Sequence, residues 1–420
     1  MTALGGTACR TTAVRHVADP GPAIARLQAG GSIQAEVDRL VQPLLDRGEV
    51  YGLVVGVVTP EGAIHAFRYG QTGHPGDCQP PDADSLFQIG SVSKLFVAAL
   101  LAKLVEKGQL HYEDTVRGIL PANVPLSAEV GQLTLYQLVT HTGGLAREPF
   151  SLRQLWSFAG YLVTGHNLYA HLDKPYLYAY LRHGRLKHRE PREFAYSNFG
   201  FGLLGHLIEV KTGRPVTGLI VEKVCRPLHM PDSGFELDPA RQKRLTVGHT
   251  GNQACFKSAN SPLAPWQMGP IMQPSAGMYS TANDLLIFAK ANLGLLEHPL
   301  EPLLASTQQA QVETPRGAEA LGWIINRFND GRVTLTFKDG MVSGYSGYLG
   351  LNRDARVAVV VLSNKFNWDD RVGHNLLLRL SGAYASSQMN RFRAPRVALA
   401  MPRMASTGGA AGAGMKGTRD

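Results

Sequence analysis

Cysteine is scarce: Cys9, Cys78, Cys225 and Cys255 are the only four in 420 residues, widely spaced and without a C-x-x-C pair. That argues against a disulfide framework or a cysteine zinc site and leaves reduced thiols with structural roles. Long apolar runs are missing as well. The longest, LFVAALLA from Leu95 to Ala102, falls well short of the roughly 20 residues that a spanning helix needs. The stretch Met1–Gly31 lacks the apolar core of a secretory leader, and Cys9 follows small residues without a lipoprotein signal around it. The expected location is therefore the cytoplasm, or the periplasm or exterior if translation starts upstream. His183 and His188 have no ligand partners at metal spacing, so no metal is expected.

Acidic charge is in deficit, and the net charge is +9. Much of the excess lies in the tail, where Arg391, Arg393, Arg396, Arg403, Lys416 and Arg419 face Asp420 alone. The tail also contains STGGAAGAGMKGTRD, which has nothing to pack. A basic tail adheres weakly to anionic surfaces, and no nucleic-acid partner is expected.

The remainder, 44% hydrophobic and 18% charged, has the balance of a soluble globular enzyme. IQAEVDRLVQPLL has helical spacing, and GLVVGVV and AIHAFRYG flank a Pro-Glu-Gly turn as a hairpin. SVSKLFVAALLAKLVEKG reads as a helix without a polar face, buried in the middle of the fold and ending at Gly108. Helical segments and loops follow from about 109 to 272. Strands then return in ALGWIINRF, RVTLTFKDG, YSGYLGLNRD and ARVAVVVLSN, with Asn329-Asp330-Gly331 as a hairpin turn, before a closing amphipathic helix. The fold class implied is α+β, an antiparallel sheet of N- and C-terminal strands flanked by helices, with a cleft beside a helical insertion. Its expected divisions are a flexible segment over 1–31, one catalytic domain over 32–383 and a disordered basic tail over 384–420.

Ser91 and Lys94 stand three apart where the strand-like FQIG gives way to a helix start. On a helix such residues share a face, so the ammonium lies over the hydroxyl. Burial and the positive helix end both disfavour the lysine cation, which lets it take a serine proton. The serine's own backbone N–H is placed to hold an oxyanion. Ser93 is the other serine here, but no lysine stands at the matching spacing from it. Taken singly, the pair also reads as an N-capping serine and a helix lysine. Tyr196 and Asn198 precede the helix FGFGLLGHLIE. A tyrosine near two ammonium groups relays protons, and an asparagine amide both donates to a substrate carbonyl and accepts from a lysine.

Two triplets compete for a third role. Lys211-Thr212-Gly213 ends a helix, with Pro215 just beyond, and so reads as a stop signal. Lys338-Asp339-Gly340 ends RVTLTFKDG, where an edge strand presents a cation and, after glycine, backbone N–H groups to the cleft.

Together these residues resemble the serine hydrolase superfamily of class C β-lactamases, low-molecular-weight DD-peptidases and related esterases, whose signature pairs S-x-x-K with Y-x-N and a lysine triplet. LVTHTGGL, SAGMYSTANDL and GYSGYLGL extend the likeness from about Ile33 to Gly382. The resemblance implies that Ser91 forms the acyl-enzyme and Lys94 activates it. Tyr196 protonates the leaving group or shares the base role, Asn198 and Lys338 orient substrate, and the N–H of Met341, after Gly340, completes an oxyanion hole. It implies no cofactor, a small-molecule or peptide substrate, and a structural role for His141. Asp339 departs from the threonine of the lactamase pattern. Its carboxylate repels a substrate carboxylate and pairs with Lys338, which shifts expectation toward neutral esters or toward peptides held by other cations, such as those in Arg182–Arg192. An acyl transferase and a silent binding protein of the same fold are the alternative functions.

Overall fold

The computed structural model describes residues 19–148, 151–164, 167–184, 186, 193–251, 258–315, 317–328, 331–366 and 371–388. Its strands are β1 (Gly52–Val58), β2 (Ile64–Gly70), β3 (Phe87–Gln88), β4 (Gly248–His249), β5 (Pro262–Leu263), β6 (Tyr279–Ser280), β7 (Val312–Thr314), β8 (Gly317–Glu319), β9 (Ile324–Phe328), β10 (Val333–Val342), β11 (Tyr345–Asn352) and β12 (Val357–Ser363). The main sheet has eight strands in the order β2-β1-β12-β11-β10-β9-β8-β7, all pairs antiparallel. N- and C-terminal strands thus share one α+β sheet, as their order along the chain suggests.

β1 and β12 are buried along their whole length, which is why GLVVGVV and VAVVVLS are nearly unbroken apolar runs. Val54 and Val58 face the helical body, while Val55 and Val57 face an outer layer containing Val37, Val41, Leu376 and Leu380. Helices Ile33–Asp46 and Arg371–Gln388 form that outer layer. The result is three layers, with the sheet in the middle.

The outer layer also includes residues expected to be flexible. Gly21–Gln28 is a helix, with Ala23 buried and Ile24 against Gly382, where an added Cβ would lie 2.2 Å from Ile24 Cδ1. Its Arg26 donates to Glu36, a side chain only 1% exposed that also accepts from Arg39 and Arg379. One buried carboxylate therefore ties three helices together. The closing helix continues to Gln388, past the expected boundary at 383. Residues 1–18 and the basic tail from 389 onward, with Cys9, lie outside the described residues, as do Cys255, His188, and Asn329 and Asp330 of the expected hairpin turn.

The helix Ser93–Glu106 runs through the centre of the molecule, its residues from Ser93 to Ala102 all buried, and Gly108 follows at φ +64°. Among the described residues no helix is long and apolar enough to cross a membrane.

β10 differs from expectation in an instructive way. It is an interior strand and continues past Gly340 to Val342, because β11 pairs with it from Thr336 to Val342. β9 pairs only with Val333–Phe337. From Lys338 onward that edge turns instead to the tight turn Gly90–Val92. A Cβ on Gly340 would lie 2.1 Å from the Ile89 carbonyl oxygen and 2.7 Å from the Ser91 nitrogen, and one on Gly90 would lie 2.5 Å from the Met341 nitrogen. Gly90 also has φ +53°, a region that costs an L-residue roughly 1–2 kcal/mol. Gly90→Ala is expected to lower the thermal unfolding temperature and to slow covalent labelling of Ser91. An unchanged melting temperature would show that the strand gives way freely.

Candidate active site

The Gly90–Val92 turn leads directly into the central helix, so Ser91 and Lys94 share a face across the junction. Lys94 Nζ donates to Ser91 Oγ at 3.0 Å, to Asn198 Oδ1 at 2.8 Å and to the Ser275 carbonyl at 2.9 Å. Its three donors are thereby used. Tyr196 donates its hydroxyl to Ser91 Oγ at 2.8 Å. Ser93 does something else: its hydroxyl donates to the Gly90 carbonyl and accepts from the Met278 N–H, holding the turn together.

Tyr196 and Asn198 are placed by a helix start. Ser197 accepts from the Gly200 N–H as N-cap and donates to the Ala146 carbonyl. His141, at φ +59°, accepts the Ser197 N–H on Nδ1, and its ring centre lies 4.4 Å from that of Tyr196 with the planes tilted by 37°. Its structural role is to orient that segment. Burial, followed by the fields of Lys338, Lys94 and Arg147, holds His141 well below the usual imidazole range, so the ring stays neutral.

Three cations surround the Tyr196 ring: Lys338 Nζ at 4.7 Å, the Arg147 guanidinium at 4.8 Å and Lys94 Nζ at 5.1 Å. Burial pushes the phenol up, but these charges outweigh it and the net direction is down. Lys94 is fully buried, and desolvation, reinforced by Lys338 and opposed by Tyr196, brings it down to about 8. A serine hydroxyl thus sits between an amine and a phenol that both part with protons more readily than usual.

Lys338 is 3% exposed and lies 3.9 Å from Asp339. Burial disfavours its cation, yet Tyr196, Asp339 and Glu319 outweigh that and hold it charged. Glu319, from β8, is itself pushed up to about 8, first by burial and then by Asp339, with Lys338 opposing. Gly340 and Met341 bring the strand backbone against the Ser91 nitrogen, as described above. Lys211 is exposed at a helix end, followed by Gly213 in the left-handed conformation at φ +68°. Of the expected basic stretch, Arg182 and His183 lie exposed at the end of a helix, and most of the rest lies outside the described residues.

Four contributors were not singled out by sequence reasoning. The Ser275 carbonyl is a backbone group with no side-chain signature. Glu319 lies two strands away from Lys338 in pairing order. Arg147 and Glu148 immediately follow THTGGLA, and a charged pair after a glycine loop was the available signal. Glu148 accepts from Asn198 Nδ2 at 2.6 Å and from the Tyr169 hydroxyl at 3.0 Å. Asn198 thus gives one of its two amide protons to Glu148, and Lys94, bound to its carbonyl oxygen, fixes the amide's orientation.

The profile of the beta-lactamase family matches residues 37–383. The chain belongs to the beta-lactamase family. Its members are serine hydrolases, and so is this chain. It is 26% identical over 368 residues to the D-alanyl-D-alanine-carboxypeptidase/endopeptidase AmpH of Escherichia coli K12, covering 82% of this chain and 89% of that one. A beta-lactamase of Pseudomonas fluorescens is 24% identical over 365 residues, covering 79% and 94%. Among solved structures, a class C beta-lactamase from Rhodobacter sphaeroides superposes with a TM-score of 0.68 at 23% identity, covering 83% of this chain and 98% of that one. D-alanine carboxypeptidase AmpC from Burkholderia cenocepacia gives 0.69 at 24%, covering 84% and 99%. These likenesses establish the class C β-lactamase fold.

Phosphonylation at Ser91 is expected to require a deprotonated Lys94–Tyr196 pair, so its rate should rise with pH through an apparent value of the pair. Lys338 lowers both partners. Lys338→Met should therefore move that rise to higher pH, while Lys211→Met leaves it in place. An unmoved profile in Lys338→Met would remove Lys338 from the electrostatics of the base.

Proposed function

We propose that this beta-lactamase-family hydrolase cleaves small esters or D-alanyl-type amides through an acyl-enzyme on Ser91. The observation that carries the reading is the double hydrogen bond on Ser91 Oγ, from Lys94 at 3.0 Å and Tyr196 at 2.8 Å. Lys94 as the free amine, or Tyr196 as the phenolate, takes the hydroxyl proton while Oγ bonds to the substrate carbonyl carbon. The oxyanion is held by the N–H groups of Ser91 and Met341, a reading supported by the close approach of the Gly90 and Gly340 backbones. Collapse of the tetrahedral adduct breaks the bond to the leaving nitrogen or oxygen, and the Lys94–Tyr196 pair returns the proton to it. Water then repeats the sequence and frees the acid. Lys338 adds positive field and orients the bound substrate.

The substrate class follows from the charges around Lys338. In this chain that cation has Asp339 beside it and Glu319 behind it. The Asp339 carboxylate weakens its hold on a substrate carboxylate, as lactams and D-Ala-D-Ala peptides carry, whereas Glu319, pushed up to about 8, is largely neutral near pH 7. Neutral leaving groups are favoured. The carboxypeptidase and endopeptidase in the name of the Escherichia coli relative support a D-alanyl amide on the acyl side.

Two experiments test this. Intact-mass spectrometry after a fluorophosphonate and, separately, a penicillin should give single adducts on Ser91. Ser91→Ala should take no adduct and lose activity by roughly a thousandfold or more, as loss of an activated nucleophile does, with its melting temperature retained. Full activity in that variant would displace Ser91 as nucleophile. Asp339→Thr is expected to speed acylation by penicillin roughly threefold to tenfold, about the effect of removing one nearby like charge. Unchanged or slower acylation would remove the repulsion argument.

A further inference from the structure

Among the described residues Glu148 is the one carboxyl group hydrogen-bonded to the Ser91–Lys94–Asn198 chain, and it is only half satisfied. Its Oε1 accepts from Asn198 Nδ2 and the Tyr169 hydroxyl, while Oε2 is shielded from solvent and has no hydrogen-bond partner among the described residues. A buried carboxylate oxygen without a donor is costly, and native proteins keep such groups where something else completes them. The nearby cations are committed elsewhere. Lys94 spends its donors on Ser91, Asn198 and Ser275, and Arg147 lies over the Tyr196 ring. Among the described residues nothing donates to that oxygen, which leaves it available to a group carried by a ligand.

We propose that Glu148 is a substrate-binding residue that receives the free ammonium group of an amino-acyl substrate, so that the preferred acyl donors are amides or esters of amino acids with an unblocked α-amine. This rests on the acyl-enzyme reading above and narrows it. Asn198 touches both Lys94 and Glu148, so a single amide group separates the carboxylate from the base. An α-ammonium group stands one carbon from the carbonyl that Ser91 attacks, and the hydrogen-bond chain from Ser91 through Lys94 and Asn198 ends on Glu148. The charges around Lys338 agree: the Asp339 carboxylate 3.9 Å away offsets part of that cation and weakens its pull on a leaving-group carboxylate. Burial raises Glu148, partly offset by Asn198, Arg147 and Tyr169, and an arriving ammonium would draw it back to the ionised form. The Tyr169 ring packs 5.4 Å from Trp266, whose carbonyl accepts from Gln88 of β3, so Tyr169 is tied to the strand just before the Gly90–Val92 turn.

The test compares D-alanine p-nitroanilide with its N-acetyl derivative, which has the same leaving group but no ammonium. The wild-type protein should prefer the free amine by about tenfold or more in kcat/KM, the scale of one charge-assisted contact. Glu148→Gln should collapse that preference, mainly by raising KM for the free amine. Protection of Ser91 from a fluorophosphonate is read in parallel, with D-alaninamide expected to protect the wild type and N-acetyl-D-alaninamide not to. If Glu148→Gln instead slows both substrates alike and keeps their ratio, Glu148 only positions Asn198 and the inference fails. Labelling of Ser91 with no discrimination by the wild type overturns this inference and leaves the acyl-enzyme reading intact. Absence of labelling at Ser91 overturns both.

Discussion

The site depends on keeping one lysine out of water. Lys94 is fully buried, and what makes its burial tolerable is three acceptors drawn from three separate parts of the chain: Ser91 beside it, Asn198 at the start of a helix in the helical region, and the Ser275 carbonyl in the short helix Gln273–Ala276. An ammonium in an apolar core is strongly disfavoured unless each proton finds a partner. The same contacts that satisfy Lys94 therefore lock the helical body onto the central helix. They also aim its lone pair, once a proton is lost, at the serine. Stability and reactivity come from one arrangement: desolvation brings the lysine down to about 8, and the geometry gives the proton somewhere to come from.

The second constraint is close approach. β10 reaches the nucleophile turn only because Gly90 and Gly340 present no side chains to each other's backbone. That contact sets Lys338 over the Tyr196 ring and Met341 beside Ser91. The charge balance then differentiates the two ends of the cleft. Lys338 is countered by Asp339, whereas Glu148, beyond Asn198, keeps an oxygen without a donor among the described residues. A substrate that brings a positive group to the acyl side and no negative group to the leaving side suits this distribution.

Much of this was legible in the sequence because it is local. Ser91 and Lys94 are one helical turn apart, Tyr196 and Asn198 precede a strong helical pattern, and the apolar runs of β1 and β12 announce buried strands. The contest between the two lysine triplets was also legible, since Gly213 followed by Pro215 marks a helix end whatever the letters between. The parts that were not legible are those created by long-range packing. Ser275 contributes only a carbonyl. Glu319 acts from β8 through the sheet, and the interior position of β10 follows from strands that pair along only half of it. The helix Gly21–Gln28 was missed because its stability comes from Glu36 and the closing helix, not from its own Gly- and Pro-rich start.

The most direct measurement is the titration of Lys94 itself, followed by NMR of protein carrying 13Cε-labelled lysine, with the Lys94 signal assigned by its loss in Lys94→Met. The account predicts a midpoint near 8. A midpoint at or above the ordinary lysine value of 10.5 would contradict it, because Lys94 would then be a cation throughout the working range and could not take a proton from Ser91.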